Sequence, residues 1–195
     1  MIKRWIFALF MTGIGTGAYA QLHQTGQTAV EVSVGALDGF RLPKQDNFGY
    51  FTGIAFSKYH SRYLYWKAGI HMNQKSYAYD ADRVPLQQWL GTAEIYTRIL
   101  GRVSQSLIIN AGIGAAGGYE SVNSDRRSVE GAMIGNRSKW VVGPTAAIEA
   151  EYLLTGNLIL IARVKEHYLF RSSVINTRFN AGVGIKIILP SKDDE

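Results

Sequence analysis

Between residues 63 and 73 every second position is apolar: Leu64, Trp66, Ala68, Ile70 and Met72 share one face, and Tyr63, Tyr65, Lys67, Gly69, His71 and Asn73 share the other. A period of two belongs to a β-strand, whose successive side chains point to opposite sides. The pattern recurs along the chain. Read with the turn residues, it predicts eight strands at 28–37, 49–58, 63–73, 86–99, 106–118, 139–153, 157–169 and 177–188. The connections alternate in length: long at 38–48, short at 59–62, long at 74–85, short at 100–105, long at 119–138, short at 154–156 and medium at 170–176. Short turns on one rim and longer loops on the other are the pattern of an up-and-down barrel, and an even strand count closes it with both termini on the short-turn rim.

The two faces differ in kind. One carries Val30, Val32, Val34, Ile54, Phe56, Leu64, Trp66, Ile70, Trp89, Ile95, Ile99, Leu107, Ile109, Ile113, Trp140, Val142, Ile148, Leu158, Leu160, Val164, Phe179, Val183, Ile185 and Ile187, with no charge among them. The other carries Glu31, Lys67, Glu94, Arg98, Glu149, Glu151, Arg163, Lys165, Arg178 and Lys186, interleaved with glycines. The predicted architecture is all-β: an eight-stranded antiparallel transmembrane β-barrel of outer-membrane type, with the apolar face on lipid and the charges in the lumen. A soluble lipocalin-like barrel is the structural alternative, with the charges in water and the apolar set around a ligand. Eight strands enclose only enough room for side chains, so four acids and six bases cross-link the interior and leave no porin-like channel.

Register supplies an internal test. Around 154–156 a two-residue turn sets Glu149 opposite Ala162 and mixes the faces. A three-residue loop instead pairs Ala147 with Arg163, leaves Glu149 diagonal to that arginine and asks for a left-handed residue at Gly156.

The chain begins with Lys3 and Arg4, an apolar run from Trp5 to Ile14, and Ala18-Tyr19-Ala20 before Gln21. Ala18 and Ala20 are the small residues that a signal peptidase reads, so cleavage before Gln21 is expected. The predicted division is a signal peptide at 1–20, a barrel at 21–189 and a charged tail at 190–195. No later segment is apolar for the roughly 20 residues that a spanning helix needs. The chain has no cysteine, so neither a disulfide nor a lipidated N-terminal Cys enters the picture. Its formal net charge is +6, and removing Lys3 and Arg4 with the leader leaves +4. That excess is scattered rather than blocked, which argues against direct nucleic-acid binding.

Candidate chemistry is sparse. Residues 112–117 have dinucleotide-binding glycine spacing, yet a polar segment follows where a helix is required; small residues that let strands approach are the better reading. Asn136-Arg137-Ser138 is a glycosylation triplet without an evident context for it. The histidines at 23, 60, 71 and 167 lack metal-ligand spacing, and no metal or other cofactor is expected. His167 with Glu166, Ser172 and Ser173 comes nearest to a hydrolase site, but neighbours on a strand point apart, so Glu166 cannot orient His167. The expectation is no catalytic residue, no small-molecule substrate and a rim histidine at 167. Trp66, Trp89, Trp140, Tyr50, Tyr152 and Tyr168 are suited to interfacial girdles.

The stretch at 110–123, reading NAGIGAAGGYESVN, and the closing FNAGVGIK at 179–186 resemble the TraO conjugal transfer proteins of Bacteroidetes conjugative transposons. The order of leader, strands and loops resembles that family over nearly the whole chain. The resemblance implies a non-enzymatic component of a conjugative DNA-transfer apparatus, seated in the outer membrane of a Gram-negative-type cell. Its implied partners are outer-membrane lipid and other apparatus proteins. The family offers no catalytic residues to carry over. The last strand departs from many outer-membrane barrels by ending Ile187-Ile188-Leu189-Pro190 without a terminal aromatic. Within this reading Tyr119, Arg126, Arg127, Glu130 and Arg137 form the candidate partner-contact loop. The alternatives are a general barrel serving as adhesin or envelope stabiliser, and a soluble periplasmic lipid binder.

Overall fold

The computed structural model describes residues 23–38, 49–79, 82–101, 106–123, 128–129, 132–133, 138–173 and 176–190. The expected cleavage site at Ala18, Ala20 and Gln21 lies outside the described residues, as do Arg126, Arg127, Glu130, Arg137 and the tail at 191–195.

Alternation of small or polar residues with large apolar ones builds β1 (Thr28–Leu37), β2 (Gly49–Tyr59), β3 (Leu64–Tyr79), β4 (Asp82–Leu100) and β5 (Leu107–Val122). A two-residue pair, β6 (Ser128–Val129) and β7 (Ala132–Met133), interrupts the long connection before β8 (Lys139–Leu153), β9 (Leu158–Tyr168) and β10 (Thr177–Leu189). The eight long strands close into an antiparallel barrel, each paired with its neighbour in the chain and β1 with β10 from Thr28↔Leu189 to Leu37↔Asn180. Closure leaves no sheet edge, so each strand's backbone groups find partners on two neighbours.

The predicted faces stand as assigned. Val32, Ile54, Ile95, Ile113, Val142, Ile148 and Val183 point outward and are exposed, Ile113 at 71%. A water-soluble fold of this size would bury such residues; a continuous exposed apolar band is the signature of a membrane barrel. The band has aromatic borders. Trp140 packs edge-on to Tyr119 at 5.6 Å and Tyr168 to Phe170 at 5.3 Å near the long-loop rim, while Phe56 and Trp66 meet at 5.7 Å near the short-turn rim, where Tyr152 is also exposed. Trp140 and Tyr152 bound β8 at its two ends, about 40 Å apart along the strand and about 30 Å vertically at a tilt of ~40°. That matches a bilayer. Tyr50 is half-buried and donates its hydroxyl to Gln74, 2.6 Å away, so it is less a girdle residue than a cross-strand tie.

Three sequence expectations change. The 74–85 loop is instead a hairpin: β3 and β4 continue in register to Tyr79↔Asp82, carrying the sheet beyond the membrane band. The outward residues there, Gln74, Ser76, Pro85 and Gln87, lie past the outward apolar band and carry no apolar alternation to betray the strand. Tyr119 belongs to β5 rather than to a loop, because the strand runs on to Val122. The β8–β9 turn is closed one residue later than expected, with Leu154 N and Thr155 N donating to Leu158 O at 2.9 and 3.2 Å. Thr155, Gly156 and Asn157 then form the loop, Gly156 is not left-handed, and Glu149 faces Arg163 directly while Ala147 faces Lys165. The displacement preserves which side each residue faces, so the charged and apolar sets survive it.

Inward glycines make room for rings. A Cβ at Gly53 would collide with His71, at Gly112 with Tyr96, and at Gly182 with Phe51. His71 and Tyr96 lie against the bare backbone of a neighbouring strand, and Phe51 reaches past Gly35 of β1 to Gly182 of β10, which is how a narrow barrel holds aromatics inside. At the short-turn end Arg98 and Leu100 are separated by a bulge, and Gly101 turns the chain with φ +96°, a conformation that suits glycine.

Replacing Ile113, midway along β5, with lysine should cost about 2–4 kcal/mol of folding free energy in lipid vesicles. An unchanged urea midpoint would show that this face meets water rather than acyl chains.

Candidate functional site

All ten charges predicted for the lumen point into it. Glu31, Lys67, Glu94, Glu149, Glu151, Arg163, Lys165, Arg178 and Lys186 are buried, and Arg98 is half-buried at the short-turn mouth. Among these ten, strand pairing sets three oppositely charged pairs directly across from one another, Glu31↔Lys186, Lys67↔Glu94 and Glu149↔Arg163. The contacts that form, however, cross the interior as well as the ladder. Lys67 Nζ donates to Glu31 at 2.7 Å and to Glu149 at 2.6 Å; Arg163 donates to Glu31 at 2.5 Å, Glu149 at 3.0 Å and Ser33 Oγ at 3.1 Å. Lys186 donates to Glu149 at 2.9 Å and also to Glu151. Lys165 holds Glu94 at 2.8 Å, and Thr145 Oγ1 donates to the same carboxylate at 3.3 Å.

Glu149 is the hub of this network. It accepts from Lys67, Arg163, Lys186 and the Tyr65 hydroxyl, binding residues of β3, β9 and β10 to β8. A carboxylate buried away from water is stable only when its lone pairs are met in this way. The cations also lie over rings: Lys67 Nζ is 4.7 Å from the centre of Tyr96, Lys186 Nζ is 5.0 Å from that of Tyr65, and Tyr65 stacks on Tyr96. With Tyr59, Ile108, Ile159 and Ile188 these rings form an apolar floor at the short-turn end. Leu90, Ala116, Val141 and Leu169 form a smaller cluster toward the long-loop end.

Several lumen residues escaped the sequence reading. His23 lies in the short-turn mouth with its ring stacked on Tyr59 at 4.3 Å; Nε2 is 2.6 Å from Glu151 and Nδ1 is 3.0 Å from an Arg98 Nη2 donor. It stoppers that end of the barrel. At the other end Glu120 accepts from Gln88 at 2.5 Å, Ser172 Oγ at 2.9 Å and the Ser173 amide at 2.6 Å, tying β4, β5 and the β9–β10 connection. Asp38 accepts from Lys75 at 2.7 Å and from Arg178 at 3.2 Å, and Tyr77 OH accepts from the same Arg178 nitrogen at 3.1 Å. Extending the alternation past the predicted strand ends would have placed Glu120 and Lys75 on the inner face. Nothing local marks His23 or Asp38, which precede and follow β1.

The hydrolase-like set does not assemble. His167 is fully buried in the lumen rather than at the rim, Glu166 projects through the opposite face, and Ser172 and Ser173 are held by Glu120. Residues 112–117 run as continuous strand, with no helix behind them. Among the described residues there is no cluster of three or more His, Cys, Asp or Glu side chains that could hold a metal ion. The described interior is filled by paired charges and rings that join its strands.

Comparison with known proteins agrees with this geometry. The family described as conjugative transposon protein TraO matches residues 25–189. No curated protein matches the chain. Among solved structures, Neisserial surface protein A (NspA) is similar with a TM-score of 0.58 at 13% identity, covering 84% of this chain and 97% of that one. Ail, the attachment invasion locus protein of Yersinia pestis, gives 0.54 at 10% identity, covering 85% and 99%. The outer membrane protein OprG of Pseudomonas aeruginosa gives 0.52 at 9%, covering 86% and 98%. At such identities the likeness is one of fold, that of small outer-membrane barrels.

Substituting Glu149 with leucine leaves Lys67, Arg163 and Lys186 short of a counter-charge and should cost about 3–5 kcal/mol. Adding Lys186→Met should recover part of that loss in a double-mutant cycle read by urea unfolding in vesicles; strictly additive losses would deny the coupling.

Proposed function

The chain belongs to the TraO family of conjugative transposon proteins, and from that premise we propose that it is a non-enzymatic outer-membrane subunit of a conjugative DNA-transfer apparatus. The family match over residues 25–189 carries this reading, because it spans the barrel from before β1 to the end of β10. The barrel and the leader read from the sequence both support it. An exposed apolar band with aromatic borders suits a bilayer, and with a cleaved leader at 1–20 the protein reaches the outer membrane, its long loops outside the cell.

A lumen filled by paired charges and rings offers no path for a DNA strand. The transferred DNA therefore travels through other subunits. This protein acts by contact, through its outer wall and its loops, with lipid and apparatus proteins as its partners. The connection around β6 and β7, with Arg126, Arg127, Glu130 and Arg137, is the loop offered to another subunit.

Deleting the gene from a donor strain should lower transfer frequency in a mating assay while growth and envelope integrity stay normal. Transfer at the wild-type frequency would sink the reading, and flanking genes unrelated to transfer would favour a general envelope role.

A further inference from the structure

Between the two aromatic borders, one ionisable side chain other than tyrosine projects outward among the described residues. Glu166 lies two residues before Tyr168 on β9, so its side chain points to the same outer side as Val164 and Tyr168 and away from Lys165 and His167. It is exposed, flanked across the ladder by Ala146 and Phe179, and makes no hydrogen bond or ion pair with any described residue. Every carboxylate inside the barrel has cationic or hydrogen-bonding partners. This one stands alone in the outward apolar band, about 7 Å along the strand below the Tyr168 ring.

Beside it the outer wall is hollowed. Ala68, Ala93, Ala115 and Pro144 stand in one row across β3, β4, β5 and β8, each paired to the next. The adjacent row includes Gly91 and Gly117. Larger neighbours such as Trp66, Ile95 and Ile113 rise around these residues and leave a recess of about 900 Å³ that has Glu166 in its wall. A second hollow of about 700 Å³ continues from it past Ala68, Ala93 and Ala115.

Acyl chains can fill an apolar recess, but they leave the carboxylate without a counter-charge. A second copy of this chain does no better. Two barrels in one membrane are related by an axis along its normal, which brings equal depths together. At the depth of Glu166 the outward residues of β8, β9 and β10 are alanines, valines and aromatics, and the outward cation Lys58 lies level with Trp66 at the other border. Like would face like.

We infer that this face of β3, β4, β5, β8 and β9 docks a membrane-spanning segment of a different protein, which lays a close-packing surface in the recess and presents a Lys or Arg to Glu166. Small residues let two membrane segments approach closely, and a charge pair shielded from water fixes their depth and register. The inference rests on the apparatus reading above for the kind of partner, while the contact itself rests on the wall.

The test uses the full chain in donor cells. A photoreactive benzophenone residue is placed at position 146, in the recess wall, or at position 34 on β1, across the barrel from β5, and combined with Glu166→Leu or Glu166→Asp. The expected result is an adduct larger than the protein from position 146 and none from position 34. That adduct should be lost together with about tenfold or more of transfer in E166L, and both should be kept in E166D. The E166L barrel should show the same heat-dependent gel mobility as wild type and an equal or higher unfolding midpoint, since the change only removes a charge from an apolar band. Unchanged adducts and transfer in E166L would overturn the proposal in favour of a lipid-covered wall. An adduct of twice the protein's mass would overturn it in favour of self-association. If gene deletion leaves transfer normal while the position 146 adduct still depends on Glu166, the apparatus reading falls and the docking face stands.

Discussion

Closure of the sheet between β1 and β10 is the constraint from which the rest follows. In a bilayer no water is available to meet a backbone amide or carbonyl, so a sheet can span only if it has no edge. Pairing Thr28 with Leu189, and so on to Leu37 with Asn180, removes the last edge. Once the sheet is a cylinder, each residue must face lipid or lumen, and a period of two is imposed on every strand. The apolar half of that alternation satisfies the membrane. The other half must fill a space only as wide as its own side chains.

That filling problem explains the interior chemistry. Large rings lie over inward glycines, and charges occupy the middle because they bring their partners from different strands. Glu149 joins β8 to β3, β9 and β10 through three cations and a tyrosine hydroxyl, so the network resists any change in barrel shape. Such a network need not exceed an apolar core in net stability. What it does supply is specificity: a slip of register by one residue would turn each of these charges toward lipid. A rigid, filled cylinder is a poor conduit and a good anchor, which moves attention from the lumen to the outer wall and the loops.

Fold class, strand number and the inward set were legible in the sequence because each depends on alternation alone. Glu31 and Val32 are assigned to opposite faces by parity, wherever the strand ends. The network's connectivity was not legible, since Lys67 reaches Glu31 and Glu149 across the lumen, and which charges meet there depends on shear and closure rather than on spacing. Outside the lipid the signal also fades. Gln74 to Pro85 reads as loop because a strand above the membrane needs no apolar face, yet it forms a hairpin. The β8–β9 turn was misplaced by one residue because Gly156 suggested a left-handed position that backbone bonds to Leu158 make unnecessary. His23 was invisible for a related reason: it precedes the first strand, and its role comes from the mouth of the barrel into which the chain folds.

The same parity gives Glu166 its meaning. Lys165, Glu166 and His167 are consecutive, and a reading by composition would count all three as one polar segment at the end of β9. On a closed sheet they are separated by the thickness of the wall. Lys165 meets Glu94 inside, whereas Glu166 is placed among Ala146, Phe179 and Tyr168 outside, where no described residue answers its charge. Moving it inward would require a register that also expels Arg163 and Lys165, so the fold holds it outward. A carboxylate held by the fold against an apolar layer either takes up a proton or meets a counter-charge on another molecule, and the hollowed wall beside it is where a second membrane segment can come close enough to provide one.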